Sequence, residues 1–363
     1  MPQAPRRLGN RIVLWLTLTA VIAAAGFVTL TARGGSTVPG QTSSLTDDEV
    51  GRLPDAPMPG VADRAAVPTT TGNRAADERI RDVAVSRGYR LRGEPLDPMG
   101  SYQGRLLQQR AIDDLQAMQS AMADDIGATL ALTSAHRSAA RQRELFRGQL
   151  ASSAITLRGR NVSNFEIGAG LVDDVLNHAM RIAAPPGFSR HHTGLVIDVA
   201  SGGVGGFAFA STAAYDWLTD DGYANAMAYG WVPSYPPNAS GQGPNPEPWE
   251  WAWIGRDAAA CARAETCAVG SLDVAGGGTI AGWAATPDDS VPFRYRLVTL
   301  DDTTTFTPTP TSRIDLEIVF GSGAAALGFS ADLPLPDGAR WACVEARSES
   351  GSPWSRVGCL DLS

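Results

Sequence analysis

With 363 residues and 44% apolar content, the chain is long enough for two or three domains with real cores, which excludes a disordered protein. The net charge is -8 and Lys/Arg cluster only at the extreme N-terminus, which argues against a nucleic-acid surface.

Residues 1–11 carry Arg6, Arg7 and Arg11, and the run from Ile12 to Leu30 that follows holds no charged residue. At 1.5 Å per helical residue this run covers roughly 28 Å, enough to cross a bilayer's hydrocarbon core. Residues 12–32 are therefore read as a transmembrane signal anchor. The basic flank stays cytoplasmic and the rest of the chain lies outside the cell membrane. A cleaved signal peptide, with processing near Ala23-Ala24-Ala25, is the alternative. Residues 33–75 are rich in Gly, Ser, Thr, Pro and Asp without a sustained apolar period, as in a flexible, solvated linker.

A globular domain is expected over 76–257. Ile80, Val83 and Ala84 recur at helical spacing until Gly88, and a second helix is predicted from Leu106 to Ala123 on Leu107, Ile112, Leu115, Met118 and Met122. Thr129–Thr133 reads as a strand, followed by a helix through Arg141 to Leu150. Leu195–Val199 reads as a buried strand, Thr212–Tyr229 as helical with a break at Asp221-Gly222, and Trp249–Ile254 as a strand. Mixed elements without a steady βαβ rhythm give an α+β class. Residues 258–363 change character: Ser, Thr, Gly and Asp rise, and Tyr295–Val298 and Ile314–Ile318 alternate as strands do, so a small all-β, sandwich-like domain is expected. Cys261, Cys267, Cys343 and Cys359 all fall there. An even count in an exported chain points to two disulfides. Three pairings are open, and short-range closure favours 261 with 267 and 343 with 359.

Chemistry concentrates in two segments, Ser189–Asp198 and Glu247-Pro248-Trp249-Glu250-Trp251. On a strand over 194–199, Val196 and Asp198 share one face, so a carboxylate is carried inward on an apolar strand and needs a partner. An ordinary loop cap or an arginine would satisfy a lone Asp, but His191 lies seven residues upstream. Glu247 and Glu250 are three apart, so they converge only if Pro248 bends the strand. Trp249, Trp251 and Trp253 share one parity and read as core.

These segments resemble the VanY-type D-alanyl-D-alanine carboxypeptidases and their hedgehog-fold relatives. Ser189, His191, Gly194 and Asp198 fit Ser-x-His-x-x-Gly-x-Ala-x-Asp, with Val196 where Ala is usual. Ser134-Ala135-His136-Arg137-Ser138 with Gln142 fits an upstream segment of that family. Trp217-Leu218, Ala226, Tyr229-Gly230-Trp231, Ser234-Tyr235-Pro236 and Glu247-Pro248-Trp249 continue the match, which covers about residues 78 to 257. The resemblance implies a hedgehog-like peptidase domain and a zinc ion held by His191, Asp198 and residue 250. It further implies Glu247 as general base, Arg137 facing the developing oxyanion, and Ser134, Gln142 and Ser189 at the substrate.

The chain departs from that pattern at position 250, where Glu250 stands in place of the usual His, with Ala252 in place of Arg. A carboxylate still binds zinc, but a His, Asp and Glu set is formally neutral with a divalent ion, a weaker Lewis acid, and manganese competes better for it. The remaining imidazoles, His136, His178 and His192, read as structural. The expected function is a membrane-anchored zinc metallopeptidase that trims D-alanine from peptidoglycan stem peptides. An endopeptidase and a catalytically silent binder of cell-wall peptides are the alternatives.

Overall fold

The computed structural model describes residues 45–62, 68–239, 243–264, 267–276, 278–285, 293–321, 323–335, 338–348 and 351–362. The expected anchor at 12–32 lies outside them. No described helix is long and apolar enough to cross a membrane.

The first described element is a short helix, α1 (Asp47–Arg52), closed by a capping box between Thr46 and Glu49. It falls within the stretch read from sequence as a solvated linker, yet it is packed: Val50 is fully buried and Asp47 accepts hydrogen bonds from Tyr223 Oη (2.6 Å) and Asn238 Nδ2 (2.7 Å). Low apolar content concealed this: Val50 and Met58 join the main apolar cluster, with Leu45, Leu53 and Val61 against it, but they are too widely spaced to give a sustained period. We call residues 45–62 the strap.

Helix α2 (Arg74–Ser86) starts where Asn73 accepts a hydrogen bond from Ala76 N and stops before Gly88, whose φ is +84°. A hairpin, β1 (Met99–Tyr102) with β2 (Arg105–Gln108), precedes α3 (Gln109–Ile126). Leu106 and Leu107, predicted to open the helix, belong instead to the hairpin, whose cross-strand pairing outweighs helical periodicity there. Strand β3 (Ala131–Ser134) leads to α4 (Ala139–Arg158), N-capped by Ser138. Helices α5 (Asn164–Gly168) and α6 (Asp173–Met180) follow, and a single tight turn, Arg190–Thr193, feeds β4 (Val196–Ala200). Helix α7 (Ala213–Met227) is interrupted at 220–223, close to the break read at Asp221-Gly222. Strands β5 (Trp231–Tyr235) and β6 (Glu247–Trp253) complete an antiparallel sheet in the order β3-β4-β6-β5. One apolar cluster joins α3 and α7 to this sheet through Leu115, Met118, Leu218, Trp231 and Trp251. A second lies among α2, α4 and α6. The α+β class is thus observed.

After α8 (Arg256–Arg263), the chain forms β7 (Val269–Gly276), β8 (Thr279–Ala285), β9 (Phe293–Val298), β10 (Thr303–Phe306), β11 (Thr309–Thr311), α9 (Ile314–Phe320), β12 (Gly328–Asp332), β13 (Trp341–Ser348) and β14 (Ser355–Asp361). These strands make two four-stranded antiparallel sheets, β10-β9-β13-β14 and β11-β12-β8-β7. The helix α9 corrects the strand read at 314–318: of the three apolar residues read there, Leu316 is buried, while Ile314 and Ile318 are 71% and 89% exposed. A five-residue apolar alternation does not by itself separate the two periods. Disulfides join Cys261 to Cys267 and Cys343 to Cys359.

Strand β13 is covered on both faces. Ala342, Val344 and Ala346 enter the sandwich core, while Trp341 and Cys343 pack with Leu96 of the first domain. There the Trp341 indole N–H donates to Asp97, and Arg110 both pairs with Asp97 (2.7 Å) and lies over the Trp341 ring at 4.7 Å.

A candidate metal centre in a polar cleft

The register of the first sheet sets the site. Asp198 on β4 stands directly opposite Glu250 on β6 and next to Ser134 on β3. Two carboxylates at opposed positions repel unless something positive lies between them. His191 supplies the third group from the tight turn before β4, where Gly194 at φ +69° reverses the chain. A side chain at 194 would also strike Met99.

His191 Nε2 lies 3.2 Å from Glu250 Oε2 and 3.3 Å from Asp198 Oδ1, and one ligand atom from each of the three residues falls within 4.8 Å of the others. The His191 Nδ1–H donates to the Ala135 carbonyl at 2.7 Å, which fixes the ring and leaves Nε2 as the lone-pair nitrogen of the neutral imidazole. Asp198 Oδ1 and Glu250 Oε1 are buried without a hydrogen-bond partner. An imidazole lone pair and two carboxylates converging with orphaned oxygens fit a divalent cation.

Arg137, just past β3, donates from Nη2 to Asp198 Oδ2 (3.1 Å) and from Nη1 to Gln142 Oε1 (3.2 Å). Asp198 therefore offers one oxygen to the arginine and keeps the other toward His191. Glu247 joins through an irregularity in β6. Pro233 pairs with Trp251 but Tyr235 pairs with Glu247, so β6 carries extra residues across the step that holds Pro248. The bend brings Glu247 and Glu250 to the same cleft, of ≈ 220 Å³, which Arg137, Gln142, Ser189, Asp198 and Tyr235 also line.

The charges are strongly coupled. Burial, then the Glu250 charge, pushes the Glu247 carboxyl well above its ordinary range. Burial also pushes Glu250 up, but His191, the nearby Ser234 hydroxyl and Arg137 outweigh it and bring Glu250 down to about 2. Burial and Arg137 pull His191 down, and Asp198 with Glu250 overcome both, so the imidazole is raised.

The sequence-derived residues divide. His191, Asp198, Glu250, Glu247 and Arg137 come together; Ser189 lines the cleft. Gln142 does so with its amide engaged by Arg137 and by the Ala184 carbonyl (2.7 Å), which makes it a holder of Arg137. Ser134 flanks Asp198 in the sheet but is not among the cleft-lining residues. Trp249, read as core, is half-buried on the cleft wall, with Phe207 edge-on at 4.8 Å. His192 is held by the Arg137 carbonyl (2.6 Å) and the Gly187 N–H (2.9 Å), with burial lowering it to about 4. His178 meets Ser153 Oγ at 2.9 Å. Sequence reading missed Arg190, 3% exposed beside the site. Its signal was a charged residue immediately before a candidate ligand histidine, between the apolar Phe188 and Leu195.

Comparison with known proteins bears on the same segment. A model of the VanY family, D-alanyl-D-alanine carboxypeptidase, matches residues 104–256. The putative carboxypeptidase YodJ of Bacillus subtilis (strain 168) is 32% identical over 139 residues, 38% of this chain and 41% of YodJ. The chain thus spans about two fifths of the length of that curated relative. Among solved structures, the LdcB LD-carboxypeptidase is 29% identical over 45% of this chain and 66% of its own, with a TM-score of 0.34. A mutant of the vancomycin-resistance D,D-pentapeptidase VanY in complex with Zn(II) is 23% identical over 45% of this chain and 82% of its own, also with a TM-score of 0.34. Residues 104–256 thus match the VanY family of D-alanyl-D-alanine carboxypeptidases, and the curated relative similar to this chain is itself a putative carboxypeptidase.

Proposed function

We propose that this protein is a metal-dependent D-alanyl-D-alanine carboxypeptidase acting on peptidoglycan stem peptides. One observation carries the reading: His191, Asp198 and Glu250 converge on a single buried point at the floor of a cleft that also holds Glu247 and Arg137. His191, Asp198 and Glu250 would hold a divalent ion, zinc with manganese as competitor, since two carboxylates and one imidazole make a harder donor set than one rich in imidazole. When bound, such an ion supplies a Lewis acid for the scissile carbonyl and acidifies the attacking water.

The chain's own groups do the rest. Glu247 takes a proton from the water as its oxygen bonds to the carbonyl carbon, and returns that proton to the departing amine as the C–N bond breaks. A raised carboxyl is a better base at neutral pH than an ordinary one, provided it is ionised when the substrate arrives. Arg137, held by Asp198 and Gln142, faces the negative charge that develops on the carbonyl oxygen. The products are free D-alanine and a peptide one residue shorter. The uncharged run at 12–30 behind three arginines, with two disulfides further on, supports an anchored protein working outside the membrane.

A second reading, a binder of cell-wall peptides without turnover, is favoured by the elevation of Glu247 against Glu250, because a protonated Glu247 is no base. Full-length protein, assayed for D-alanine release from a peptide ending in D-Ala-D-Ala with zinc or manganese added, separates the two. Release with either ion supports the peptidase; peptide binding without release under both supports the binder. Glu250→His is expected to tighten zinc binding and raise turnover, and unchanged metal content and rate would count against residue 250 as a ligand.

A further inference from the structure

Arg190 is a buried cation one side chain away from the proposed metal centre, and what neutralises it lies in the strap. Its Nη2 donates to Asp55 Oδ1 (2.7 Å) and to the Gly51 carbonyl (3.1 Å); its Nη1 donates to the Ser234 carbonyl and reaches Ser234 Oγ (3.3 Å). The guanidinium also lies over the Tyr235 ring at 4.4 Å. Asp55 is shared: Arg92 Nη2 donates to the same carboxylate at 2.5 Å, and Arg90 lies 3.6 Å from it. The side chains of Arg190, Arg92 and Asp55 are 3%, 9% and 14% exposed, so this is an ion cluster with little water to screen it.

Arg190 lines the same cleft as Glu250, and the Ser234 hydroxyl, 3.3 Å from Arg190 Nη1, is also a partner of Glu250, so without Asp55 the Glu250 carboxylate is an anion within Arg190's reach. A buried guanidinium that loses its counter-ion turns toward the nearest remaining anion, because an unpaired buried charge is the costliest state open to it. Here that anion is a proposed ligand.

We infer that Asp55 is a positioning residue for the metal centre: by holding Arg190 on the strap side, it leaves the Glu250 carboxylate available to a divalent ion. This rests on the metal-centre reading above and adds that the segment leading into the domain is part of the site's support. Supporting partners of this kind change metal affinity about 10–100-fold when removed.

The test is divalent-ion affinity in full-length protein, measured by competition between the protein and a chromophoric chelator for Zn²⁺ or Mn²⁺ alone, with thermal melting alongside. Asp55→Asn is expected to weaken binding about tenfold or more. Asp55→Glu, which keeps the charge, is expected to restore it. The double variant Asp55→Asn/Arg190→Gln, which removes the roaming cation as well, is expected to bind better than Asp55→Asn. A merely structural role for Asp55 makes the double variant no better than the single, and that result overturns the inference, as does wild-type affinity in Asp55→Asn. Should Asp55→Asn alone not fold, the double variant carries the decision: binding close to wild type supports the inference, and a loss as deep as in Glu250→Ala overturns it. Wild-type protein that takes up neither ion sinks the metal reading and this inference with it, whereas wild-type uptake with indifferent Asp55 variants sinks the inference alone.

Discussion

Strands β4 and β13 are both buried on both faces and both carry one acidic residue, yet their neighbours treat that residue in opposite ways. On β13, Glu345 is opposed by Arg296 on β9 and by Arg356 on β14, and Arg296 Nε donates to it at 2.7 Å. On β4, Asp198 is opposed by Ser134 and by a second carboxylate, Glu250. Cross-strand charges complement one another where only the fold is at stake. Where they clash, the protein relies on His191, on Arg137 and, in the proposed state, on a cation from outside. A mismatch that costs stability is the stronger mark of function.

The largest expected effect tests that claim at its centre. His191→Ala removes the one imidazole between the two carboxylates and should abolish ion uptake and cut D-alanine release about a thousandfold or more. Retained uptake in this variant, read by metal analysis of the purified protein, would refute the assigned donor set. On the other strand, Glu345→Gln leaves two guanidiniums facing a neutral amide and should cost about 3 kcal/mol in denaturant unfolding with no change in ion affinity. If it lowered ion affinity instead, the separation between the two strands would be false. Chelating the ion should in turn destabilise the wild type by about 2.7 kcal/mol relative to protein held at an ion concentration of about 100 Kd. His191→Ala should show no such difference, and Glu345→Gln should show the full one.

The contrast also marks how far sequence could reach. His191, Asp198, Glu247, Glu250 and Arg137 were legible through the resemblance of their motifs to the VanY-type carboxypeptidases, and the bend at Pro248 followed from parity once Glu247 and Glu250 had to converge. The docking of the strap was not legible. Asp55 and Arg190 are 135 residues apart, and an ion pair across that distance leaves no periodic trace in either segment. The wall position of Trp249 was hidden for a related reason: it falls inside the irregular step of β6, between the pairs Tyr235–Glu247 and Pro233–Trp251, where the alternation that holds for Trp251 and Trp253 does not apply. Helix α9 was misread because apolar residues at 314, 316 and 318 fit a strand, whereas only Leu316 finds a core.

The smallest effect concerns the covalent ties on the module side of the comparison. Cys343 and Cys359 face each other across β13 and β14 and close a separation of 16 residues, while Cys261 and Cys267 close one of 6. If each bond acts by restricting the unfolded chain, its contribution grows as the logarithm of the loop, and the longer one is worth more by about 0.9 kcal/mol. Replacing each pair by alanines and comparing unfolding free energies should show a gap of that sign and size. A larger gap would mean that Cys343, fully buried against Leu96, also contributes packing at the seam with the first domain. A gap of the opposite sign would mean that the short loop at the end of α8 does more for the module than chain entropy predicts, and the module's stability would then have to be sought at its entry rather than in β13.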